Sequence, residues 1–278
     1  MKTAVATAVE LVQFPPESTR ALSLFSALTA AARGAGVEVV TTTQYRGGTP
    51  WLLLWGPGAP ARRTVMDRHL LAGGHVLAWD LSYWSRNHKA RVSFDAAHPW
   101  KWVMRASLPA LRFQSDPVPV ENAWKPNGHV VVAGLGDKAR VQYGPDVIDA
   151  WERTMIRDCR ERWPNRLVMY RKKKIASPVP DHVEVASCGT PIETVLRGAS
   201  LVVTWHSNVA VDAIRLGIPA ICRDGAAAAV CPSTLESEPT PLPVAVRERF
   251  LHNLAWFQWG TSPAECSAFW AFAHGMLA

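Results

Sequence analysis

Polar side chains stand where a helix is expected to begin between two strand-like runs. His206, Ser207 and Asn208 follow the apolar run at 201–203, and Asp212 comes one turn later. Hydroxyl and amide groups cap such helix starts, while the free N–H groups and positive dipole end favour an anion such as a diphosphate. Asp212 could then accept a hydrogen bond from a ribose or sugar hydroxyl. The pattern predicts a binding turn, although His206 and Ser207 could instead only cap the helix while Asp212 faces water.

A second candidate loop follows a strand-like run that begins at residue 129. Gly134 and Gly136 would let the backbone approach a ligand closely. Lys138 and Arg140 add positive charge suited to a phosphate. The third glycine of the dinucleotide fingerprint is missing, and the chain has no P-loop motif. The loop therefore predicts contact with a phosphate without matching either standard fingerprint.

Residues 83–112 form a basic, Trp-rich segment that could bind an anionic polymer. The segment holds six Lys or Arg residues and a single acid. Basic side chains neutralise phosphates, and flat aromatic rings stack on bases or sugars. The alternative is an ordinary surface segment whose tryptophans fill a core. The candidate contacts are Trp84, Arg86, Lys89, Arg91, Trp100, Lys101, Trp102 and Arg105.

The elements that must position these residues alternate between strands and helices. In the first series we expect strands at 3–12, 37–43, 51–55 and 75–81, with helices at 19–33 and 61–72. In the second series we expect strands at 129–135, 166–170, 182–186, 200–204 and 219–222, with helices at 145–163, 191–197 and 207–216. Strands that alternate with helices indicate parallel sheets.

Two such series, joined by a proline-rich stretch at 116–127, predict an α/β fold of two Rossmann-like, doubly wound domains facing a cleft. We expect the domains to span 1–127 and 128–242. The remaining segment, 243–278, is expected to form two helices that pack back on the first domain. The basic run at 171–174 is interpreted as a solvated loop, with a phosphate track as the alternative.

Composition excludes several classes of protein. The net charge is +7, and most of it lies in the first 128 residues, which hold 14 Lys and Arg against 8 Asp and Glu. This imbalance favours an anionic partner for the first half. The five cysteines are an odd number without C-x-x-C spacing, which disfavours a disulfide framework or a cysteine metal site. No apolar run is long enough to span a bilayer, and we expect a cytoplasmic protein with reduced thiols.

The stretch S-N-V-A-V-D-A-I-R-L-G-I-P-A-I at 207–221 resembles the donor-diphosphate segment of GT-B glycosyltransferases. The resemblance covers about 20 residues and implies a GT-B enzyme whose second domain binds a nucleotide sugar, with a UDP-sugar as the preferred candidate. It also assigns the loop at 134–140 to the donor. Many members of the family have Glu where Asp212 stands, which leaves the ribose contact open. The family usually needs no metal or other cofactor, and the chain has no D-x-D motif.

The first domain would then bind the acceptor. In its compactness and charge layout the chain resembles phage glycosyltransferases that modify hydroxymethylated pyrimidines in DNA, so DNA is the expected acceptor and would require base flipping. A cell-surface polysaccharide or a lipid-linked glycan is the alternative. A sugar-nucleotide epimerase and a non-catalytic nucleic-acid-binding protein are further alternatives.

Sugar transfer to a hydroxyl needs a base to remove the hydroxyl proton. Asp95 is the only carboxylate within the basic segment and is the first candidate, although neighbouring cations would make it a weak base. His98 and His206 are the other candidates.

Overall fold

The computed structural model describes residues 7–105, 107–174, 178–180, 183–186, 189–235 and 238–277. The chain forms two compact units, the first from Met1–Pro99 with Phe257–Ala278 and the second from Trp100–Trp256. In the described residues no helix has the length and apolar character needed to cross a membrane. Cys159, Cys222, Cys231 and Cys266 are buried free thiols, and Cys188 lies outside the described residues.

The strands are β1 (Thr7–Val12), β2 (Val37–Thr42), β3 (Trp51–Trp55), β4 (His75–Leu81), β5 (Ala90–Phe94), β6 (His129–Ala133), β7 (Val168–Arg171), β8 (Glu184–Ala186), β9 (Ala199–Thr204), β10 (Ala220–Cys222) and β11 (Gln258–Trp259). The helices are α1 (Thr19–Ala32), α2 (Pro60–Leu71), α3 (Trp100–Val103), α4 (Leu111–Ser115), α5 (Asp137–Tyr143), α6 (Pro145–Arg162), α7 (Ile192–Leu196), α8 (Val209–Arg215), α9 (Val244–Ala255) and α10 (Pro263–Leu277). Short 3₁₀ turns cover 33–35 and 226–229.

The first unit is built on a six-stranded sheet of order β11-β5-β4-β3-β1-β2. Strands β1 to β4 are parallel, whereas β5 is antiparallel to β4 and β11 is antiparallel to β5. On one face Met66 of α2 packs on Leu52, Leu54 and Val76. On the other face α10 packs with its Trp270 stacked on Trp51. Every residue of β3 is buried, as expected for a central parallel strand covered on both faces.

The crossover from β2 to β3 contains no helix, and a buried carboxylate from β1 holds it in place. Glu10 is 2% exposed. Its carboxylate accepts hydrogen bonds from the backbone N–H groups of Arg46 (2.6 Å) and Gly47 (2.9 Å) and from the Thr42 hydroxyl (3.1 Å). These bonds tie the crossover to β1 and give the buried Glu10 carboxylate the hydrogen-bond donors that a buried charge needs.

The second unit contains a five-stranded parallel sheet of order β10-β9-β6-β7-β8. Its core joins Val130, Val132 and Val203 of the sheet to Ile156 and Cys159 of α6. Apolar strand residues thus meet the apolar stripe of an amphipathic helix. Together the two parallel-dominated sheets confirm the prediction of two Rossmann-like α/β units.

The units of the structure meet at Pro99 and Trp100 and again at Trp256 and Phe257, whereas the sequence led us to expect boundaries after residues 127 and 242. The segment before β6 packs on the second unit, since the N–H groups of Glu121 and Ala123 bond to the carbonyls of Arg215 (2.7 Å) and Leu216 (2.8 Å). Helix α9 belongs to the same unit because Arg247 donates to the Glu121 carbonyl at 2.7 Å. Of the two C-terminal helices, α10 alone belongs to the first unit, where Trp270 donates to the Leu28 carbonyl at 2.9 Å.

Most predicted strands and helices are present, with shifted ends. The differences lie in α3, α4, β5 and β11, which were not expected, and in α5, which begins inside the stretch at 134–140 that was expected to be a loop. Residues 3–6 and 182, which belong to predicted strands, lie outside the described residues.

Candidate functional site

The two loops predicted to bind a phosphate lie side by side in the second unit. Strands β6 and β9 are parallel neighbours, and their last residues, Ala133 and Thr204, are register partners. The chain leaves β6 towards β7 on one side and returns to β9 on the other, so the sheet changes winding direction between β6 and β9. Ligands of open α/β sheets bind outside the carboxyl ends of the strands at this switch point. We call the loops that follow β6, β7, β9 and β10 the carboxyl edge of the second unit.

The loop after β6 is held close to its neighbours. The Gly134 N–H donates to the Arg171 carbonyl at 2.9 Å, and a Cβ at position 134 would collide with the Tyr170 hydroxyl. Gly136 is the N-cap residue of α5, and a Cβ there would lie 3.2 Å from Cγ of Lys173. Close packing therefore requires glycine at position 134, whereas a side chain at position 136 would only need the exposed Lys173 side chain to move slightly.

Arg140 is part of the folded core of the second unit. The side chain is 10% exposed and forms ion pairs with Asp149 and, at 2.9 Å, with Glu152. Glu152 also accepts hydrogen bonds from the Tyr170 hydroxyl (2.9 Å) and the Leu135 N–H (2.7 Å), and burial raises the pKa of its carboxyl. The geometry thus gives Arg140 a structural role and does not favour the predicted phosphate contact.

Other cations surround the two loops. Lys138 is exposed in the first turn of α5. The basic run after β7 lies beside the loop after β6, with the Lys173 side chain next to Gly136. Lys174 pairs with Asp137 at 2.7 Å, and this hydrogen bond lowers the pKa of the Asp137 carboxyl. The run at 171–174, interpreted from the sequence as a solvated loop, therefore adds positive charge at the carboxyl edge.

The turn after β9 places three polar residues at the start of α8. His206, Ser207 and Asn208 are each half-buried. The Ser207 hydroxyl accepts from the Val209 N–H at 3.3 Å, and the Ser207 N–H donates to the Thr204 hydroxyl at 3.2 Å. Asn208 is the N-cap residue of α8, but its side chain makes no capping hydrogen bond. The turn is thus ordered by Ser207 and Thr204.

Three residues absent from the sequence-based candidates pack around this turn. The Arg223 guanidinium, which directly follows β10, lies 4.1 Å from the Trp205 ring centre. The Tyr143 ring is 6.5 Å from that of His206. A Cβ at Gly225 would lie 3.2 Å from the His206 backbone. Arg223 could have been found from the sequence, because it follows a predicted strand as the other candidates do.

Asp212 lies in the middle of α8 and approaches a cation of its own helix. Its carboxylate is 3.6 Å from Nε of Arg215, which also pairs with Glu193. The predicted contact of Asp212 with a ribose stays a prediction.

The basic, Trp-rich segment does not belong to one unit. Residues up to Pro99 are in the first unit, and Trp100, Lys101, Trp102 and Arg105 are in the second. In the second unit, Lys101 lies 5.3 Å from the Trp100 ring centre and Arg105 4.7 Å from that of Trp102.

Within the first unit, only part of the segment is available to a ligand. Arg91 on β5 is 4% exposed, pairs with Asp80 at 3.2 Å and donates to the Ala97 carbonyl at 2.7 Å. Arg86 is exposed, and Trp84 and Lys89 are half-buried. Arg91 is therefore a structural residue, because a buried guanidinium requires these partners.

Asp95 lies at the edge of the first sheet opposite the carboxyl ends of its parallel strands. Because β5 is antiparallel to β4, the end of β5 lies beside the start of β4. Asp95 accepts from the Val76 N–H at 2.7 Å and lies 3.0 Å from Nδ1 of His75. His98 follows in the same segment and is half-buried. These positions do not favour Asp95 as the base, and among the predicted bases His206 lies at a carboxyl edge.

The carboxyl edge of the first unit contains a buried ion pair that the sequence analysis did not identify. The order β2-β1-β3 puts the switch point of this sheet between β1 and β3. Glu17, 3% exposed in its side chain, follows β1 and lies 3.1 Å from Arg62 of α2. Arg62 also lies 5.5 Å from the Phe14 ring centre. This pair connects the loop after β1 to the helix after β3.

The chain is similar to solved protein structures, although its sequence matches no known family or curated protein. No protein-family model matches the chain, and no curated protein matches it. The structure of a β-Kdo 2,4-transferase, KpsC of Thermosulfurimonas dismutans, is similar with a TM-score of 0.55 and 13% identity over 97% of this chain and 98% of that one. A β-Kdo 2,7-transferase, also KpsC of that organism, has a TM-score of 0.53 and 13% identity over 96% of this chain and 99% of that one. At this identity the likeness shows a shared fold, which here consists of two Rossmann-like α/β units.

Proposed function

We propose that the protein is a glycosyltransferase that moves a sugar from a nucleotide-sugar donor to an acceptor hydroxyl. The observation that carries this proposal is the pair of loops after β6 and β9, which meet at the switch point of the second sheet. Lys138, Lys173 and Arg223 supply positive charge around them. The shared fold with two Kdo transferases supports the proposal.

In this mechanism the donor diphosphate, or the single phosphate of a CMP-sugar, lies against the loops at 134–138 and 206–209. Lys138, Arg223 and the backbone N–H groups stabilise the negative charge that develops as the sugar bond breaks. His206 is the base that removes the acceptor proton, since its imidazole lies at this edge and a ring nitrogen can accept a proton. The enzyme needs no metal in this proposal, so we expect transfer to persist in EDTA.

For the acceptor we favour a glycan hydroxyl, as in a cell-surface polysaccharide or a lipid-linked glycan. The argument for DNA rested on the continuous basic segment at 83–112. That segment is divided between the two units, and its Arg91 is buried in an ion pair. Hydroxymethylated DNA therefore becomes the second acceptor to be tested.

The activity can be tested with a panel of UDP-, GDP-, dTDP- and CMP-sugars, offered with glycan acceptors or with plain and hydroxymethylated DNA. Mass spectrometry of the products detects an added sugar. An altered nucleotide sugar without any acceptor would instead indicate an epimerase. Salt-dependent DNA binding without uptake of any nucleotide would indicate a nucleic-acid-binding protein and would contradict the proposal.

The donor site can be tested separately by calorimetry with UDP, GDP, dTDP and CMP. The double variant Lys138→Ala/Arg223→Ala should bind the preferred nucleotide about 10- to 100-fold more weakly, because charge-assisted contacts to phosphate are lost. Arg153→Ala, which removes an exposed cation from α6, is the matched control and should bind normally. Unchanged affinity in the double variant would remove these loops from the donor site.

A further inference from the structure

A basic and aromatic surface of the second unit lies outside the proposed donor site. It is formed by residues 100–112 together with Trp256, and we call it the basic-aromatic patch. Trp100 is 37% exposed and Leu111 is 69% exposed. Lys101 and Arg105 are exposed as well. Apolar side chains exposed beside cations on one short segment indicate a surface that contacts another molecule.

Hydrogen bonds to the end of α9 hold the patch together. The Asn253 side chain donates to the Val103 carbonyl at 2.7 Å and accepts from the Leu108 N–H at 2.9 Å. Nε1 of Trp256 donates to the Pro109 carbonyl at 2.7 Å. Because Asn253 and Trp256 lie within one helical turn of each other, these attachment points are close together. The segment therefore forms a compact surface instead of an extended loop.

The patch carries an excess of positive charge. No Asp or Glu occurs at 96–115. Within the described part of the chain, neither Lys101 nor Arg105 forms an ion pair with a carboxylate. Acids lie on the adjoining segments, since Asp116 follows α4 and Glu248 of α9 is exposed. The three cations of the segment outnumber these two acids, so the patch attracts an anionic partner.

The tryptophan rings of the patch are arranged for a lipid surface more than for a nucleic acid. Each ring has a cation near one face, which leaves at most the other face for stacking on a base. The exposed Leu111 adds aliphatic surface, for which a base stack has no use. At a bilayer interface, by contrast, tryptophan, aliphatic and basic side chains occur together. The distances from cation to ring centre are 5.3 Å for Lys101 and Trp100, 4.7 Å for Arg105 and Trp102, and 5.8 Å for Arg112 and Trp256.

We propose that the basic-aromatic patch binds the surface of an anionic lipid bilayer. Trp100 and Leu111 enter the headgroup region, where amphipathic rings and aliphatic side chains are stable. Lys101 and Arg105 contact the lipid phosphates. The protein is held at the surface, and none of its described helices has the length and apolar character needed to cross the bilayer.

The position of the patch connects this binding to the proposed function. Helix α3 packs against the 3₁₀ turn at 226–229, which follows Arg223. The patch therefore borders the carboxyl edge of the second unit, and a bound bilayer would bring a lipid-linked acceptor close to the donor loops. Only this last step rests on the proposed function, because the contact with lipid does not require sugar transfer.

Co-sedimentation with vesicles tests the inference. The vesicles consist of phosphatidylcholine alone or of an equal mixture of phosphatidylcholine and phosphatidylglycerol. The protein should bind the anionic vesicles at least about tenfold more tightly, because each Lys or Arg near an anionic surface strengthens binding about fivefold. Binding should weaken as salt is added. Failure to bind the anionic vesicles would overturn the inference.

The cations of the patch are tested with the double variant Lys101→Gln/Arg105→Gln. It should bind anionic vesicles about tenfold or more weakly than the wild type. The matched control is Arg33→Gln/Arg153→Gln, which removes two exposed cations outside the patch and so lowers the net charge equally. An equal loss of binding in the two double variants would mean that overall charge alone attracts the lipid, and the inference would be wrong.

The apolar contact is tested with Leu111→Ser, which should weaken vesicle binding several-fold. Leu71→Ser is the control, since Leu71 is 90% exposed at the end of α2. Equal binding by these two variants would contradict the insertion of the patch into the headgroup region.

A single-stranded oligonucleotide distinguishes lipid from nucleic acid. If Lys101→Gln/Arg105→Gln loses oligonucleotide binding but keeps vesicle binding, the patch is a nucleic-acid site and the inference fails. Thermal denaturation shows whether each variant is folded. Nucleotide affinity, measured by calorimetry, should be the same in all variants. A protein that binds vesicles through the patch but takes up no nucleotide would contradict the proposed donor site and leave this inference intact.

Discussion

Two cations that look functional in the sequence, Arg91 and Arg140, are buried in ion pairs and stabilise the fold instead. Glu10 and Glu152 also have structural roles, since they accept backbone hydrogen bonds in the interior. A buried charge persists in a folded protein only when it has such partners. Exposed cations at the strand ends, such as Lys138 and Arg223, are therefore better candidates for binding a substrate.

At Arg140 the structure predicts a loss of stability. Arg140→Met should lower the free energy of unfolding by about 3–5 kcal/mol, because Glu152 would remain buried without its cation. Lys138→Ala should change it by less than about 0.5 kcal/mol, since that side chain is exposed. Urea denaturation of both variants measures the difference, and similar stabilities would contradict the structural role of Arg140.

Glu10 should be equally important for the first unit. Glu10→Ala should lower the free energy of unfolding by about 3 kcal/mol, because the N–H groups of Arg46 and Gly47 lose their acceptor. Glu38→Ala, at an exposed position on β2, is the control and should have little effect. A Glu10 variant as stable as the control would show that water replaces the carboxylate.

His69 predicts a pH dependence of stability. Burial lowers its pKa from 6.5, against smaller opposing effects that include the nearby charges of Glu10 and Asp95. Below about pH 6.5 the unfolded chain therefore binds more protons at this residue than the folded protein does. The free energy of unfolding consequently decreases as the pH is lowered. The His69→Gln variant lacks this contribution. The difference in free energy of unfolding between the wild type and the variant should therefore decrease as the pH is lowered from about 7.5 to about 5. Urea denaturation across this range measures this difference, and a constant difference would contradict the prediction.

At the scale of elements, the loop after β6 depends on close packing with β7. Gly134→Ala should lower the free energy of unfolding by about 1–3 kcal/mol, because the added Cβ meets the Tyr170 hydroxyl. Gly58→Ala is the control, since nothing lies within 4 Å of a Cβ there. Thermal denaturation compares the two variants. A Gly134 variant as stable as Gly58→Ala would mean that β6 and β7 separate easily at this end.

Most strands and helices could be predicted because their signals are local. The five apolar residues of β3 and the helical spacing of Phe25, Leu28 and Ala32 in α1 are visible without tertiary contacts. Strand β5 was missed because its sequence, A-R-V-S-F, includes Arg91, which is buried by pairing with Asp80 on the neighbouring strand. Helix α5 was missed because its N-cap glycine and cations indicated a loop.

At the scale of the whole molecule, the unit boundaries depend on contacts between distant residues. Arg247 of α9 reaches the carbonyl of Glu121, more than a hundred residues away in the chain. Helix α10 packs instead with α1, through Trp270 and Leu28. No local pattern distinguishes the two helices, so the sequence assigned both to one domain.

Hydrogen exchange can locate the nucleotide on the whole chain. Addition of the preferred nucleotide should slow amide exchange at 134–139, 206–210 and 223–226, where backbone N–H groups lie at the carboxyl edge of the second unit. The strands of the first sheet should exchange at unchanged rates. Protection limited to the first unit would move the donor site away from these loops.

The sequence by itself determined the alternation of strands and helices, and hence the loops after β6 and β9 as candidates, because parallel strands end at a common edge. Only the tertiary structure decided which charged residues are available to a ligand. Asp95 lies at the opposite edge because β5 runs antiparallel, and Arg140 is buried because Glu152 of α6 packs beneath it. The basic-aromatic patch also required the structure, since hydrogen bonds to the distant helix α9 hold it together. Strand direction and burial are long-range properties, and the local periodicity of the chain does not encode them.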